Sequence, residues 1–455
     1  MRTLFALALC LLLGPLAAQA GSANPCGSPF NPVPVIQPVQ ASPQLAAQDP
    51  AIDCFMWQTM VYLNWPAQPG QRGVPNPQAK LGDPGPTVWQ TYKDYNEVYL
   101  PGGQQPAPWN DNFLTMQRLE LRGMAAPRPS IRLLNSTSKV FGAANSHDGP
   151  MLDEIEQAQG GVLYDQNNQP VYYEMLVNEV NFQYIYTNQL YNSAQQNRYA
   201  QAKGIVLPSG SIELKAAWKV LTPEEASPPL RFLTARALLP GSQVPVTMGL
   251  VGLHVFQMPS SDFNQGFWAT FSQVDNAPTL NGSGQPHYSF NNPQCRQCAV
   301  NDKTSKPTQV VQVFANNPDA QTVNAFMQDL IQQQAPNSAL QYYQLIDVQW
   351  PNSPKAIGQP GAETPAPNGT PNTSTLINPV LETFLQKNAE SCLGCHVYAG
   401  VAASAGSSKK HYQASFSFLF RHAQAPSLQS NLKSLAQQVE EASAKLQQGG
   451  AETRQ

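Results

Sequence analysis

Charged side chains are scarce in this sequence, which has 26 Lys and Arg and 29 Asp and Glu residues among 455 and a formal net charge of −3. Proteins that bind nucleic acid neutralise its phosphates with clustered basic side chains. This charge balance offers no basic field for such a ligand, so we expect no nucleic-acid partner. Proline is abundant, with 42 residues, and a Pro-rich chain with few charges predicts a loop-rich exported protein.

Long apolar runs are lacking after the N-terminus. No later run approaches the roughly 20 apolar residues that a membrane-spanning helix needs, so we predict no transmembrane segment. The N-terminal run has another interpretation, because Met1-Arg2 is a positive start, residues 4–13 are apolar and Ala18-Gln19-Ala20 is a small-x-small cleavage site. Residues 1–20 are therefore predicted to be a signal peptide, and the mature protein to be soluble and exported.

Cysteine and histidine are rare, with seven and six residues, yet two Cys and one His stand together in Cys392-Leu393-Gly394-Cys395-His396. This C-x-x-C-H pentapeptide resembles the attachment motif of the c-type cytochromes, in which two thioethers hold the haem and the histidine ligates its iron. The resemblance implies one covalent haem c, bonded by Cys392 and Cys395 and ligated by His396. A disulfide or a chance occurrence is the alternative. Since such haem is attached outside the bacterial cytoplasm, the motif and the signal peptide together predict a periplasmic protein.

The remaining mature cysteines are Cys26, Cys54, Cys295 and Cys298. An even number in an oxidising compartment predicts two disulfides, with the pairing left open. Cys295 and Cys298 also have C-x-x-C spacing, but Ala299 stands where a haem motif needs His, so no second haem is expected. A thioredoxin-like redox pair is disfavoured because no βαβ pattern surrounds it. A zinc site built from all four cysteines is the alternative to disulfides.

The periodicity of residues 21–350 predicts an α+β body, in which helices pack on one largely antiparallel, twisted sheet. The predicted strands are residues 211–221, 231–239 and 246–258, with a hairpin at 160–175 and helices at 49–63, 178–193 and 319–333. On the strand at 246–258, alternation places six residues on one face. They are Met248, Leu250, Gly252, His254, Phe256 and Met258.

Three further units follow the body. Residues 351–375 are rich in Pro, Gly, Asn and Thr and predict a linker or surface loop. Residues 376–425 are the cytochrome c-like haem segment, in which Asn378 and Pro379 predict the start of a short helix that carries the motif at its end. Residues 426–455 predict an amphipathic helix that either docks on the body or forms a dimer coil, which leaves the oligomeric state open.

Methionine is absent after Met327, so no Met follows His396 as a sixth iron ligand of the kind found in small cytochromes c. The downstream candidates are His411 and His422, which flank an aromatic run at residues 416–420. The upstream candidates are His254 and Met258 on the strand at 246–258, and an open iron is the third possibility. Residues 397–455 are too few to enclose a haem alone, which favours a ligand from the sheet.

Several longer sequence segments resemble those of a group of bacterial proteins described only as cytochrome c family proteins. They are Trp57-Gln58-Thr59 with residues 63–66, residues 212–218, residues 251–254, Thr270-Phe271 with residues 274–276, residues 342–346 and Ser417-Phe418-Leu419. The resemblance implies that the sheet body and the haem segment form one unit, but it implies no reaction.

Two functions are consistent with these expectations. The first is an exported monohaem cytochrome that transfers electrons to or from a redox partner protein, which the single haem favours. The second is a haem c-dependent oxidoreductase or peroxidase with an open distal site for a small-molecule substrate, which the length favours. An exported binding or scaffold domain with a structural haem is the third hypothesis.

Overall fold

The computed structural model describes residues 24–26, 49–111, 131–133, 161–239, 242, 244–259, 265–280, 282, 287–386, 391–403 and 411–425. The predicted signal peptide (1–20) and the predicted amphipathic helix (426–455) lie outside the described residues. In the part of the chain that is described, no helix is long and apolar enough to cross a membrane.

Ten strands and six helices form the described structure. The strands are β1 (Lys93–Asp94), β2 (Ile131–Leu133), β3 (Tyr172–Val177), β4 (Ile212–Val220), β5 (Thr234–Leu238), β6 (Val246–Gln257), β7 (Phe267–Gln273), β8 (Tyr343–Gln349), β9 (Pro351–Ser353) and β10 (Thr370–Pro371). The helices are α1 (Asp49–Leu63), α2 (Tyr95–Val98), α3 (Glu179–Thr187), α4 (Ser193–Lys203), α5 (Pro318–Gln334) and α6 (Cys392–His396).

Eight of these strands form one sheet around β6. Its order is β1-β3-β4-β6-β5-β2, and β7 pairs with β6 and β8 in addition. The long β6 shares its second edge between two partners, because residues 246–249 pair with β5 and residues 252–257 pair with β7. All pairings are antiparallel except that of β2 with β5. The prediction of a mixed fold with a largely antiparallel sheet is therefore confirmed.

The predicted alternation on β6 holds for only half of the strand. Ala217 pairs with Gly252 and Trp218 with Leu250, so Val251 is an extra residue, or β-bulge, on β6. A one-residue shift moves every earlier side chain to the opposite face. The prediction that Met248 and Leu250 share a face with His254 is consequently wrong, since they lie on the side of Trp218.

One side of the sheet, here called the helix face, is covered by α1 and α5. Trp57 of α1 packs edge-on against Phe271 at 5.3 Å between ring centroids. Its indole nitrogen donates a 2.8 Å hydrogen bond to Asn324 of α5. Phe55 meets Phe267 in the same edge-on manner at 5.8 Å. These contacts hold α1 against both the sheet and α5. The apolar spacing of both helices predicted that they would pack on the sheet.

The opposite side, here called the segment face, is covered by the C-terminal segment (residues 376–386, 391–403 and 411–422). The hydroxyl of Tyr173 donates to the Val380 carbonyl at 3.2 Å, and the Asn378 amide donates to the Thr270 hydroxyl at 2.8 Å. A Cβ atom on Gly252 would lie 2.7 Å from Val380, so only glycine permits this close approach. The segment is thus part of the same globular unit as the sheet.

Residues 351–375, predicted as a linker or surface loop, contain β9 and β10 and are otherwise irregular. They also contact the rest of the chain: Gly361 donates its N–H to the Ala200 carbonyl of α4, and Ala366 donates to the Val397 carbonyl just after α6. Ile357 is 3% exposed. This stretch therefore packs along α4 and the C-terminal segment.

The four structural cysteines form two disulfides, Cys26–Cys54 and Cys295–Cys298. Two disulfides were predicted and are confirmed, and the alternative of a four-cysteine zinc site is wrong. Among the described residues no group of three or more His, Cys, Asp or Glu side chains is arranged to hold a metal ion. The sequence separations are 28 and 3 residues, for which loop entropy predicts stabilisation of about 3.5 and about 2 kcal/mol.

Candidate functional site

The C-x-x-C-H residues form a helix of their own, α6. Ser391 is its N-cap and accepts a 2.9 Å hydrogen bond from the Gly394 N–H. The predicted helix from Asn378 that would end at the motif is not observed, since residues 378–386 form isolated turns, including a 3₁₀ turn at Thr383–Leu385. A serine N-cap starts a new helix efficiently, so the motif lies at a helix start.

The two motif cysteines point the same way because residues three apart share one helix face. Cys392, Cys395 and His396 are all half-buried, and neither cysteine takes part in the two disulfides. Leu393 between them is fully buried, and its N–H donates to the Gln349 side chain of β8 at 2.8 Å. Leu393 therefore holds α6 against the sheet, with the two cysteines half-buried on either side of it.

The imidazole of His396 is oriented by a backbone carbonyl. Its Nδ1 lies 2.6 Å from the Phe416 oxygen, which can only accept a hydrogen bond, so Nδ1 carries the proton and Nε2 of the neutral ring has a lone pair. Trp268 and Phe418 flank the ring at centroid distances of 4.3 and 4.9 Å. This arrangement is typical of metal-ligating histidines, whose second nitrogen commonly donates to a carbonyl or carboxylate.

The turn that presents the Phe416 carbonyl is held in an unusual conformation. Ser415 and Phe416 have φ values of 53° and 62°, in the left-handed region that costs a non-glycine residue about 1–2 kcal/mol. Ser417 offsets this strain by donating its hydroxyl to the carboxyl group of Glu213, 2.8 Å from each oxygen. The turn is therefore anchored to β4.

Glu213 is a half-buried carboxyl group beneath this turn. It also accepts a 2.8 Å hydrogen bond from the Asn181 amide of α3. Burial raises the pKa of Glu213 to about 7, although the hydrogen bonds from Ser417 and Asn181 oppose the shift. Near neutral pH, a proton on Glu213 thus changes the charge beneath the turn that orients His396.

His254, an upstream ligand candidate, lies on the segment face. Its Nε2 is 2.8 Å from Glu382 Oε1, and the second oxygen of Glu382 accepts from the Asn378 N–H at 2.9 Å. Two residues along β6, Phe256 contacts Trp268 at 4.4 Å between centroids, and Trp268 contacts His396. A chain of two ring contacts, Phe256 with Trp268 and Trp268 with His396, therefore begins two residues along β6 from His254.

Met258 and His411 have other surroundings. Met258 is 1% exposed in the main core, and its backbone pairs with Ser211 and Gly210. His411 is also buried, with its Nδ1 3.0 Å from the Val401 carbonyl. It stands at the end of the short pairing of residues 399–401 with 412–414, away from the end where His396 meets Phe416.

His422 packs against α2 rather than α6. Its ring lies 4.6 Å from Tyr95 and 6.2 Å from Tyr99 between centroids. Burial, together with the positive charges of Lys215 and Arg421, lowers the pKa of His422 to about 4. At neutral pH it is consequently a neutral, half-buried imidazole beside α2.

The sequence reasoning missed the groups that hold the site together, namely Glu213, Trp268, Glu382 and the Phe416 carbonyl. Alternation did place Glu213 and Lys215 opposite Ile212 and Leu214, a pattern typical of a solvent face. The missing information was that residues some 200 positions later cover that face.

Comparison of the chain with protein-family models, with curated proteins and with solved structures finds no match in any of the three. The chemistry of the site therefore rests on the residues themselves.

Proposed function

We propose that this protein is an exported, periplasmic c-type cytochrome that carries one covalent haem c and acts in electron transfer with a redox partner protein. Cys392 and Cys395 would form the thioethers, and His396 would ligate the iron. The observation that carries the proposal is the 2.6 Å contact from His396 Nδ1 to the Phe416 carbonyl, on the same short helix as the two half-buried cysteines. This contact selects the tautomer with its lone pair on Nε2, which is the tautomer that a metal-ligating histidine adopts when a carbonyl holds its other nitrogen.

When bound, haem c would supply one-electron chemistry. The role of the chain is to orient His396, for which Phe416 provides the acceptor and Trp268 and Phe418 provide the flanking rings. The anchoring of Leu393 to Gln349 and of Ser417 to Glu213 keeps these groups on a rigid sheet. Rigid support of this kind favours a fixed ligand geometry.

A second candidate function, a haem c-dependent oxidoreductase or peroxidase with an open distal site, is favoured by the pair of His254 and Glu382. A carboxylate that orients an imidazole, beside Lys215 on the neighbouring strand, is suited to moving a proton to or from a small substrate. A simple electron carrier has no need of such a pair. In the carrier we propose that His254 is instead the sixth iron ligand.

The proposed periplasmic location agrees with the two disulfides, which form and persist in oxidising compartments.

Covalent attachment is tested by expressing the full chain in a bacterium that matures periplasmic haem c. Haem staining on a denaturing gel should be lost in Cys392→Ala/Cys395→Ala. The matched control is Cys295→Ala/Cys298→Ala, which removes the other C-x-x-C pair and should keep the stain. Persistent staining in the first variant would show that the thiols of α6 do not bind the group.

Spectroscopy then separates the two functions. A low-spin reduced spectrum that does not change when carbon monoxide is added supports the carrier. A high-spin ferric spectrum that changes when cyanide is added supports the enzyme. In the carrier, His254→Ala should lose the low-spin bands, and Met258→Ala, His411→Ala and His422→Ala should retain them. Loss of the bands in another variant would assign the ligand to that residue instead.

A further inference from the structure

The two disulfides differ in how well a thiol can reach them. Cys54 lies in α1 and is 1% exposed. Cys295 and Cys298 are half-buried, and Arg296 and Gln297 between them are exposed. Thiol–disulfide exchange requires a thiolate to attack a sulfur atom directly, so access decides which disulfide reacts. Cys26 is half-buried and packs against the main apolar cluster, so Cys26–Cys54 offers a thiol one half-buried sulfur at most. Both cysteines of Cys295–Cys298 are half-buried and have exposed neighbours, which makes this disulfide the easier of the two to attack.

The turn that carries Cys295 and Cys298 does not depend on their bond for its shape. The Cys295 N–H donates to the Asn292 carbonyl at 3.0 Å, and the Asn292 N–H donates to the Gln309 side chain at 2.8 Å. At its base, Phe290 and Val310 are completely buried and pack in one apolar cluster. None of these contacts involves a sulfur atom, so opening the bond removes none of them.

Arg296 places a positive charge inside the four-residue loop. A neighbouring cation stabilises a thiolate, which makes the released sulfur a better leaving group. The C-x-x-C pair lies in a turn rather than at a helix start, and its reactivity comes from access and charge. The βαβ setting that the sequence lacks is therefore not required.

We propose that Cys295–Cys298 is a redox-active disulfide that exchanges with a partner protein carrying a closely spaced dithiol. A partner thiolate attacks one of the two sulfurs, forms a mixed disulfide and releases the other cysteine as a thiolate. The second partner thiol then attacks the mixed disulfide. Cys295 and Cys298 leave as thiols and the partner leaves as a disulfide, so two electrons and two protons pass to this chain. The inference does not rest on haem binding.

The first experiment compares the two disulfides in the same native, full-length molecule. The protein is incubated with dithiothreitol, quenched with a maleimide at a series of times and analysed by peptide mass spectrometry. Cys295 and Cys298 should be labelled at least ~100-fold faster than Cys26 and Cys54. Equal rates, or labelling of Cys295 and Cys298 only after denaturation, would overturn the proposal.

The second experiment traps the exchange. Reduced thioredoxin that retains its attacking cysteine but lacks its resolving cysteine is the probe, and a one-to-one adduct should map to Cys295 or Cys298. The adduct should form several-fold more slowly with Arg296→Gln than with Arg296→Lys, which keeps the charge. No adduct, or an adduct at Cys26 or Cys54, would refute the exchange site. Retention of haem staining in Cys295→Ala/Cys298→Ala keeps this result distinct from the test of the cytochrome.

Discussion

On the helix face of the sheet, Trp57 and Phe55 pack against Phe271 and Phe267 in edge-to-face ring contacts. The segment face differs, because a line of polar side chains crosses it. Directly paired residues on four neighbouring strands make up that line, and they are Lys215, His254, Thr270 and Asp347. Burying polar groups is unfavourable unless each finds a partner. The partners come from the covering layers, where Glu382 meets His254 and Asn378 meets Thr270.

The comparison shows that the helix face mainly stabilises the fold and that the segment face positions the site. Apolar packing on the helix face does not depend on the orientation of individual contacts, because dispersion and burial are non-directional. On the segment face, ring and apolar contacts are accompanied by directed hydrogen bonds between specified atoms. That face therefore determines where α6 and the Phe416 carbonyl stand relative to the sheet.

The largest effect is expected from Trp57→Ala on the helix face. The ring is completely buried, and its loss leaves a cavity and removes one of the hydrogen bonds to Asn324, which should lower the free energy of unfolding by about 3–5 kcal/mol. Denaturant titration measures this change. Val244→Ala is the control, since Val244 is 70% exposed and should shift the free energy by less than about 0.5 kcal/mol. A loss below about 1 kcal/mol for Trp57→Ala would remove the contrast between the faces.

A pH-dependent effect is expected from Glu213 on the segment face. Burial raises its pKa from an ordinary 4.5 to about 7, so the folded state binds the proton more tightly than the unfolded state. The stabilisation is complete below pH 4.5 and is lost as the pH rises towards 7. The shift corresponds to at most about 3 kcal/mol.

The measurement is the difference in unfolding free energy between Glu213→Gln and the wild type from pH 4 to pH 8. The free energy of unfolding of the variant should increase relative to that of the wild type as the pH rises, by up to about 3 kcal/mol. Asp94, whose pKa burial raises to about 7, and His422, whose pKa is lowered to about 4, contribute to both proteins and cancel in the difference. A difference independent of pH would contradict the shifted pKa.

A smaller effect is expected for the contact of His254 with Glu382. A double-mutant cycle with His254→Ala and Glu382→Ala should give a coupling energy of about 1–2 kcal/mol, because both groups are partly shielded from water. The control pairs His254→Ala with Asp329→Ala, an exposed residue of α5, and should be additive within about 0.5 kcal/mol. Additivity of the first pair would show that the contact does not fasten the segment.

The smallest effect is expected for Ser417→Ala, which should cost about 1 kcal/mol, the value of one buried hydrogen bond to Glu213. The same variant should shift the absorption bands of the proposed haem c, because the turn that presents the Phe416 carbonyl to His396 loses its anchor. Ser227→Ala removes an exposed hydroxyl and should change neither quantity. Unchanged bands in Ser417→Ala would show that Glu213 does not position the turn.

Local pattern sufficed for much of the sheet and its helices. The strand predicted at 211–221 is β4 (Ile212–Val220), and the helix predicted at 319–333 is α5 (Pro318–Gln334). The hairpin predicted near Asn167-Asn168 has its left-handed residue at Asn168, with φ of 60°, a conformation that asparagine tolerates. These features depend on side-chain periodicity and turn chemistry, which neighbouring residues determine.

The failures have a different physical origin. The bulge at Val251 arises from pairing with β4. A glycine inside a strand, here Gly252, is a general sign of a bulge but does not say which residue is the extra one. Residues 378–386 have an apolar spacing typical of a helix, yet only isolated turns form there, and the side chains of Glu382 and Asn378 bond to β6 and β7. In both places a non-local contact outweighed the local preference.

The sequence alone identified the residues of the candidate site, since Cys392, Cys395 and His396 lie within five positions. It also predicted two disulfides among four other cysteines, because their number is even. Only the tertiary structure decided which cysteines pair, which nitrogen of His396 carries the proton and which polar groups meet on the segment face. The last two outcomes depend on atoms 20 to 204 positions apart in the chain, and hydrogen bonds across such separations follow from how the layers pack.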